Sequence, residues 1–309
     1  MPINPTILKK VFICGIGRSG STILKLALLQ HDRFFGFQDE IRFLTDPGGL
    51  LGLNSTLLNC KDPWHIDKHC REFIQLCSSV KNKTVFHESV RVVSRIFKIN
   101  SLRYSNIGLS KNLNGNLIDC ADSYLRNLGV QRQVGGWTGT DFGTKRLLYT
   151  SDHVSVETCT RANENFFQQL SAMFIKKSGA DFFVDDTPFN GLWANELLKA
   201  FPGSKFIFID RDPRDILASY AKVYFGLNGV KANYSYVKKL VEANSEVRCR
   251  LPLTQFISLN LEDLVASPNK ELSRISDFLK VSNFPDKYDG FFDAHNIGRW
   301  RKELDPKYH

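Results

Sequence analysis

Apolar residues in this chain gather into short runs of strand length, which alternate with longer segments of mixed apolar and polar character. The apolar runs are bounded by glycine, proline or charged residues, as is typical of strands buried on both faces: 11–14, 182–184, 205–210 and 256–260. The mixed segments have the length of helices: 23–29, 192–200, 213–225 and 269–279. This alternation predicts an α/β fold of three layers, a central parallel sheet flanked by helices on both faces. Ligands of such sheets bind at the carboxyl ends of the strands.

The middle of the chain, residues 45–165, lacks this regular alternation. We predict a mainly helical insertion there, within a single domain that spans residues 1–309. Glycine and threonine gather between 135 and 144, which predicts a loop. Segments carried on a rigid α/β frame usually determine substrate choice. The alternative is a surface excursion that has no role in binding.

Composition and charge restrict the class of protein. A hydrophobic content of 42% and a charged content of 24% over 309 residues are typical of a soluble globular chain. The net charge of +9 favours an anionic ligand or acceptor. We expect no nucleic-acid partner, because the sequence has no zinc-finger spacing, RNA-binding aromatic motif or continuous basic tract. No segment approaches the ~18 apolar residues of a membrane span, and the first strand begins too early to leave room for a signal peptide.

The cysteines favour a reducing compartment. There are seven, an odd number, and none forms a C-x-x-C pair, which is typical of reduced thiols in a cytoplasmic protein. His65, His69 and Cys70 have a helical spacing that would bring them together around a metal ion. Because no second ligand cluster accompanies them, a polar helix face is the better interpretation, and we expect no metal.

The first apolar run leads into a glycine-rich loop and then a helix, an arrangement that presents backbone N–H groups to an anion. The spacing Gly15-x4-Gly20 matches a Walker A loop, but Ser21 stands where that motif has lysine. The cation lies inside the loop instead, as Arg18. The alternative is a generic strand-turn-helix connection whose glycines serve packing. The predicted phosphate-binding residues are Gly17, Arg18, Ser19, Gly20, Ser21 and Thr22.

A second candidate phosphate element follows the strand 205–210. Arg211 ends the strand, Pro213 suits the first turn of a helix, and Ser219 lies on that helix. An arginine offers two parallel charge-assisted hydrogen bonds to a phosphate, and a hydroxyl adds a further donor. Arg214 is expected to face solvent or to pair with a carboxylate. The alternative is a charged helix start without a ligand.

Near the C-terminus, Gly298-Arg-Trp-Arg-Lys302 places cations beside an aromatic ring. Arg299 or Arg301 is expected to reach a phosphate, while Trp300 offers a stacking face. The alternative is a basic tail on a basic protein.

The first loop resembles the 5′-phosphosulfate loop of sulfotransferases that use 3′-phosphoadenosine 5′-phosphosulfate (PAPS). The Arg211/Ser219 pair is similar to the element with which that family binds the 3′-phosphate of PAPS. The 298–302 segment resembles the terminal segment that closes over the nucleotide in that family. The resemblance covers roughly 10–45 and 180–303. It implies a P-loop-like fold, PAPS as co-substrate with PAP as product, no metal, and a hydroxyl-bearing acceptor of unspecified class.

Transfer of the sulfuryl group needs a cation at the leaving phosphate, for which Arg18 is the candidate, and a base for the acceptor hydroxyl. Glu40 and Arg42 resemble the Glu-x-Arg pattern of the tyrosylprotein type, so Glu40 is the predicted base and Arg42 a residue that orients it or the acceptor. Asp39 is the competing base. An exposed acidic loop without catalytic role is the other interpretation.

One position departs from the family. Many relatives carry lysine in an Asp/Glu-Lys-Thr-Pro motif, where this chain has Asp186 before Thr187-Pro188. Either another cation, such as Arg42 or Lys145, takes over, or catalysis is weak. Two further functions therefore stay open beside sulfuryl transfer: a P-loop nucleoside or small-molecule kinase, and a catalytically inactive PAP-binding protein.

Overall fold

The computed structural model describes residues 8–37, 40–79, 117–135, 146–174, 180–223, 226–284, 288 and 291–305. The strands are β1 (Lys9–Cys14), β2 (Phe34–Gly36), β3 (Gln131–Gly135), β4 (Arg146–Thr150), β5 (Phe182–Asp185), β6 (Lys205–Asp210) and β7 (Phe256–Asn260). The helices are α1 (Ser21–Leu28), α2 (Leu50–Asn59), α3 (Pro63–Ser79), α4 (Leu117–Asn127), α5 (Val156–Phe174), α6 (Ala194–Ala200), α7 (Pro213–Tyr220), α8 (Val230–Cys249), α9 (Leu261–Ala266), α10 (Pro268–Leu279) and α11 (Trp300–Glu303).

The chain divides into two compact units. The sheet unit comprises residues 6–36, 177–198 and 203–309, and the helical unit comprises residues 1–5, 37–176 and 199–202. The predicted insertion, 45–165, lies within the helical unit. Its role in acceptor choice stays a prediction.

The sheet unit contains five parallel strands in the order β2-β5-β1-β6-β7. This confirms the α/β fold with a central parallel sheet. β1 lies at the centre, between β5 and β6, so the loops that follow β1 and β6 leave the same edge of the sheet side by side. In doubly wound sheets this edge is where ligands bind.

Both faces of the central strand are covered, which explains its unbroken apolar run. Val11 and Ile13 belong to a core that also contains Leu24 of α1 and Ile275 of α10. Phe12 points to the opposite face, where its ring stacks on Phe206 with centroids 5.7 Å apart.

Helix α7 begins where the sequence predicts and ends earlier. The Asp212 side chain accepts a hydrogen bond from the backbone N–H of Arg214 at 2.9 Å, and Pro213 occupies the first turn. The helix ends at Tyr220 rather than near residue 225.

The helical unit is built on α2, α3, α4 and α5, as predicted. Its core packs Phe73, Tyr124 and Phe166 together, with ring centroids 5.1–5.9 Å apart. It also contains an antiparallel hairpin, β3-β4, whose polar first strand gave no strand pattern in the sequence. The predicted loop 135–144 falls, apart from its first residue, outside the described residues.

Among the described helices, none has the length and apolarity needed to cross a membrane.

Candidate functional site

The glycine-rich loop joins β1 to α1 through a tight turn. Arg18 adopts a left-handed conformation (φ +73°), which is uncommon for a residue with a side chain, and Gly20 follows at φ +100°. The Ser19 N–H donates to the Ile16 carbonyl at 3.1 Å. No described side chain caps the N-terminus of α1, so its first backbone N–H groups are available to an anion.

The loop also packs closely against α7. A Cβ added at Gly17 would lie 2.5 Å from the hydroxyl of Tyr220, so the backbone approaches that ring more closely than a side chain allows. Burial raises the pKa of Tyr220 to about 12, while the charge of Arg18 opposes this shift. Ser19 is fully buried, and its hydroxyl has no hydrogen-bond partner among the described residues.

The two predicted phosphate elements meet at this loop although they lie far apart in the sequence. Nε of Arg18 donates to the hydroxyl of Ser219 at 2.8 Å, across 201 positions of the chain. Nη1 of Arg211 donates to the backbone carbonyl of Arg18 at 2.9 Å. The structure therefore brings together Arg18, Arg211 and Ser219, three of the residues that the sequence singled out for phosphate binding.

Arg211 is a desolvated cation in an electropositive environment. Its side chain is 6% exposed, and Nε is buried with no hydrogen-bond partner among the described residues. Burial and the charges of Arg299 and Arg18 lower the pKa of Arg211, although Asp215 acts in the opposite direction. A bound anion would relieve both the mutual repulsion and the missing hydrogen bond.

Arg18, Arg211 and Arg299 line a cavity of about 290 Å³ within the sheet unit. Its polar part carries three arginines and two hydroxyls, and its apolar part carries two phenylalanines that sequence reasoning did not identify. The lining residues are Arg18, Gly20, Ser21, Thr22, Ile23, Arg211, Leu261, Val265, Phe291, Phe292, Asp293, Asn296, Ile297 and Arg299. The cavity therefore suits an amphipathic ligand with an aromatic part and more than one anionic group.

Arg299 of the C-terminal segment lines this cavity, whereas Trp300 and Arg301, the other two residues predicted to contact the nucleotide, do not. The ring of Trp300 is 8% exposed, with the guanidinium of Arg214 at 3.8 Å from its centroid and that of Arg301 at 4.9 Å. Neither Trp300 nor Arg301 lines the cavity. The tryptophan anchors the segment to α7, where it packs with Leu217.

Glu40 and Arg42 lie in the helical unit and contact each other. Nη1 of Arg42 donates to Glu40 at 3.1 Å, and Nε donates to Asp46 at 3.0 Å. Burial lowers the pKa of Arg42, but the carboxylates of Asp46 and Glu40 outweigh it and raise the pKa overall. Arg42 therefore fixes the Glu40 carboxylate. Asp39 and Lys145 lie outside the described residues.

Asp186 forms a buried ion pair with Lys25 of α1. The two side chains are 1% and 3% exposed. At the strand end where the family resemblance leads us to expect lysine, the chain has a carboxylate, and a lysine from α1 faces it. Sequence reasoning did not identify Lys25, because it reads as one more cation on a surface helix.

Comparison with known proteins resolves the class of the molecule. The sequence model of the Sulfotransferase family matches residues 117–286, more than half of the chain. The chain belongs to the sulfotransferase family.

Individual relatives of this sulfotransferase-family chain are distant. A Caenorhabditis briggsae protein provisionally named as a protein-tyrosine sulfotransferase is 29% identical over 99 residues. The match covers 30% of this chain and 35% of that protein, so the chain spans about a third of the length of the curated relative it matches.

Two solved sulfotransferase domains align with most of this chain at low sequence identity. The sulfotransferase domain of the curacin biosynthetic pathway is 16% identical, with 94% of this chain and 80% of that chain covered and a TM-score of 0.48. The sulfotransferase domain of the Synechococcus PCC 7002 olefin synthase is 15% identical, with 100% and 85% covered and a TM-score of 0.44.

In the described part of the chain, the candidate metal ligands and the cysteines form no further site. His65 contacts the carboxylate of Asp62, and no group of three or more His, Cys, Asp or Glu side chains there could hold a metal ion. All seven cysteines are described, and all are free thiols.

Proposed function

We propose that this protein transfers the sulfuryl group of PAPS to a hydroxyl-bearing acceptor by in-line displacement. The observation that carries the proposal is the convergence of Arg18 and Arg211 at one cavity. Arg211 donates to the Arg18 carbonyl at 2.9 Å, and Arg18 donates to the Ser219 hydroxyl behind it at 2.8 Å. A ligand with two separate phosphate groups, as in PAPS, explains why two distant cationic elements meet there. A P-loop kinase would leave the Arg211/Ser219 pair without a function.

The residues present suit such a ligand. Arg211 has a buried Nε without a described partner, and its lowered pKa reflects burial and neighbouring cations. Arg18 and the N-terminus of α1, with Ser21 and Thr22, would stabilise the charge that develops on the leaving 5′-phosphate. Arg211, with Ser219, would hold the 3′-phosphate. The phenylalanines of the cavity provide an apolar surface for the nucleoside.

We assign Glu40 as the base that removes the proton from the acceptor hydroxyl. Its carboxylate accepts a hydrogen bond from Arg42, which holds it in one orientation. General base catalysis needs an oriented acceptor of the proton within hydrogen-bond reach of the substrate. Because the acceptor hydroxyl attacks sulfur directly, no step of this proposal requires a metal ion.

Among acceptor classes, the Glu-x-Arg pattern and the naming of the Caenorhabditis briggsae relative favour a peptide tyrosine, with a glycan or a small alcohol as alternatives. A screen of these three classes, a lipid and a small free phenol with labelled PAPS decides between them. Transfer confined to the lipid or to the small free phenol would contradict this order of preference.

The binding test compares thermal unfolding with PAP and with ATP·Mg²⁺. We expect PAP to raise the unfolding temperature and ATP·Mg²⁺ to leave it unchanged. No response to PAP would refute the assignment of the cavity.

A second function is supported by one observation. Asp186 places a carboxylate where many relatives have lysine, and Lys25 neutralises it rather than facing solvent. This arrangement favours a PAP-binding protein without catalysis. Binding of PAP, together with no product from PAPS with any acceptor class, would select this second function.

A further inference from the structure

One buried carboxylate, that of Asp215, connects α7 to the C-terminal segment. Asp215 is fully buried. It accepts hydrogen bonds from the backbone N–H of Gly298 at 2.7 Å and from that of Trp300 at 3.0 Å. Its Oδ2 also lies 3.8 Å from Nη2 of Arg211, which directly follows β6.

The two backbone contacts of Asp215 fall on either side of Arg299. Gly298 precedes this arginine in a left-handed conformation (φ +69°), and Trp300 follows it. The backbone that carries Arg299 is therefore fixed at both neighbouring positions by one carboxylate. The same carboxylate holds the side chain of Arg211.

Asn296 strengthens the link between these two arginines. Its backbone carbonyl accepts from Nη2 of Arg211, and its side-chain oxygen accepts from Nη1 of Arg299 at 3.2 Å. Two guanidinium groups held near each other repel; burial and the charge of Arg299 both lower the pKa of Arg211. The buried charge of Asp215 offsets this repulsion.

We propose that Asp215 is a positioning residue that holds Arg211 and Arg299 as a pair around the second phosphate of the nucleotide. The inference rests on the proposed function, since it takes PAP as a ligand of this cavity. It predicts that Asp215 controls the preference for adenosine 3′,5′-bisphosphate over adenosine 5′-monophosphate (AMP). A carboxylate that only stabilised the fold would affect both nucleotides equally.

The test is Asp215→Asn in the full chain, with PAP and AMP affinities measured by calorimetry. The amide offers one carbonyl oxygen, so one of the two N–H groups loses its acceptor and Arg211 loses its ion pair. We expect the ratio of PAP affinity to AMP affinity to fall about tenfold or more. An unchanged ratio would overturn the proposal.

A matched control is Asp212→Asn on the same helix. Asp212 binds Arg214, whose guanidinium lies on Trp300, outside the cavity. Asparagine caps helices as well as aspartate, so the affinity ratio should match that of the unmodified chain. If this variant lowers the ratio as much as Asp215→Asn does, the effect is not specific to Asp215 and the proposal fails.

If Asp215→Asn does not fold, Asn296→Ala decides the question. Asn296 is exposed and lines the cavity, and its substitution by alanine removes the side-chain acceptor of Arg299. A smaller fall in the ratio would support the arginine pair, and no change would contradict it. If the unmodified chain binds no PAP at all, the proposed function fails, which is a result distinct from failure of the Asp215 proposal.

Discussion

The buried pair of Lys25 and Asp186 predicts that each single substitution destabilises the chain much more than the double substitution does. The two side chains are 3% and 1% exposed, so replacing either one alone breaks a buried ion pair. Such a change costs about 3–5 kcal/mol, a large share of the roughly 5–15 kcal/mol that stabilises a typical domain. We expect Lys25→Met and Asp186→Leu each to lower the free energy of unfolding by this amount. The double variant, which removes both charges, should lie within about 1–2 kcal/mol of the unmodified chain.

The same reasoning determines which variant can test whether a lysine at position 186 raises turnover. Asp186→Lys alone would place two ammonium groups together in the interior, so it should destabilise the chain at least as much as Asp186→Leu. The reversed pair, Lys25→Asp with Asp186→Lys, should recover most of the loss and is the variant in which turnover can be compared. Urea unfolding at pH 7, followed by tryptophan fluorescence, measures the five variants and the unmodified chain. Single variants that cost less than about 1 kcal/mol, or additive effects in the double variants, would refute the buried-pair argument.

Three further predictions concern the site and the fold. Gly20→Ala should destabilise the chain by about 1–2 kcal/mol and weaken PAP binding. The reason is that Gly20 has φ +100° and an added Cβ would lie 2.7 Å from a leucine side chain. The control variant Gly52→Ala, in open space within α2, should stabilise the chain slightly in the same unfolding assay. Cys249 is exposed and should be alkylated by iodoacetamide at pH 8, whereas Cys70, whose pKa burial raises to about 12, should stay unmodified until the chain unfolds, as mass spectrometry would show. Glu40→Gln should lower turnover about 10²–10⁴-fold while the Kd for PAP stays unchanged; unchanged turnover would disprove the base assignment.

Most of the sheet unit follows from local sequence patterns. Strands β1 and β6 are buried on both faces, so their apolar runs are uninterrupted and end at glycine or charge. Parallel strands present their carboxyl ends at one edge of the sheet, and the elements that carry Arg18 and Arg211 follow two such strands. The hydrogen bonds of Arg18 with Ser219 and Arg211 show that these elements converge.

The contacts that hold the site in place were not predictable in this way. Asp215 reads as a polar residue on a charged helix, and its partners are backbone N–H groups that any residues at 298 and 300 would supply. Lys25 pairs with a residue from a distant strand end, and no local pattern distinguishes it from a surface lysine. Trp300 suggested a stacking face because an isolated motif does not reveal which side chains cover its ring.

The central position of β1 affects how the chain folds during its synthesis. β1 leaves the ribosome first among the described strands, yet it pairs only with β5 and β6, which begin at residues 182 and 205. At translation rates of about 5–20 residues per second, this apolar strand waits for on the order of ten seconds or more without its neighbours. During that interval, exposed backbone and apolar side chains favour association with other chains. We therefore expect the nascent protein to depend on a chaperone that shields its first 30 residues until β6 has been made.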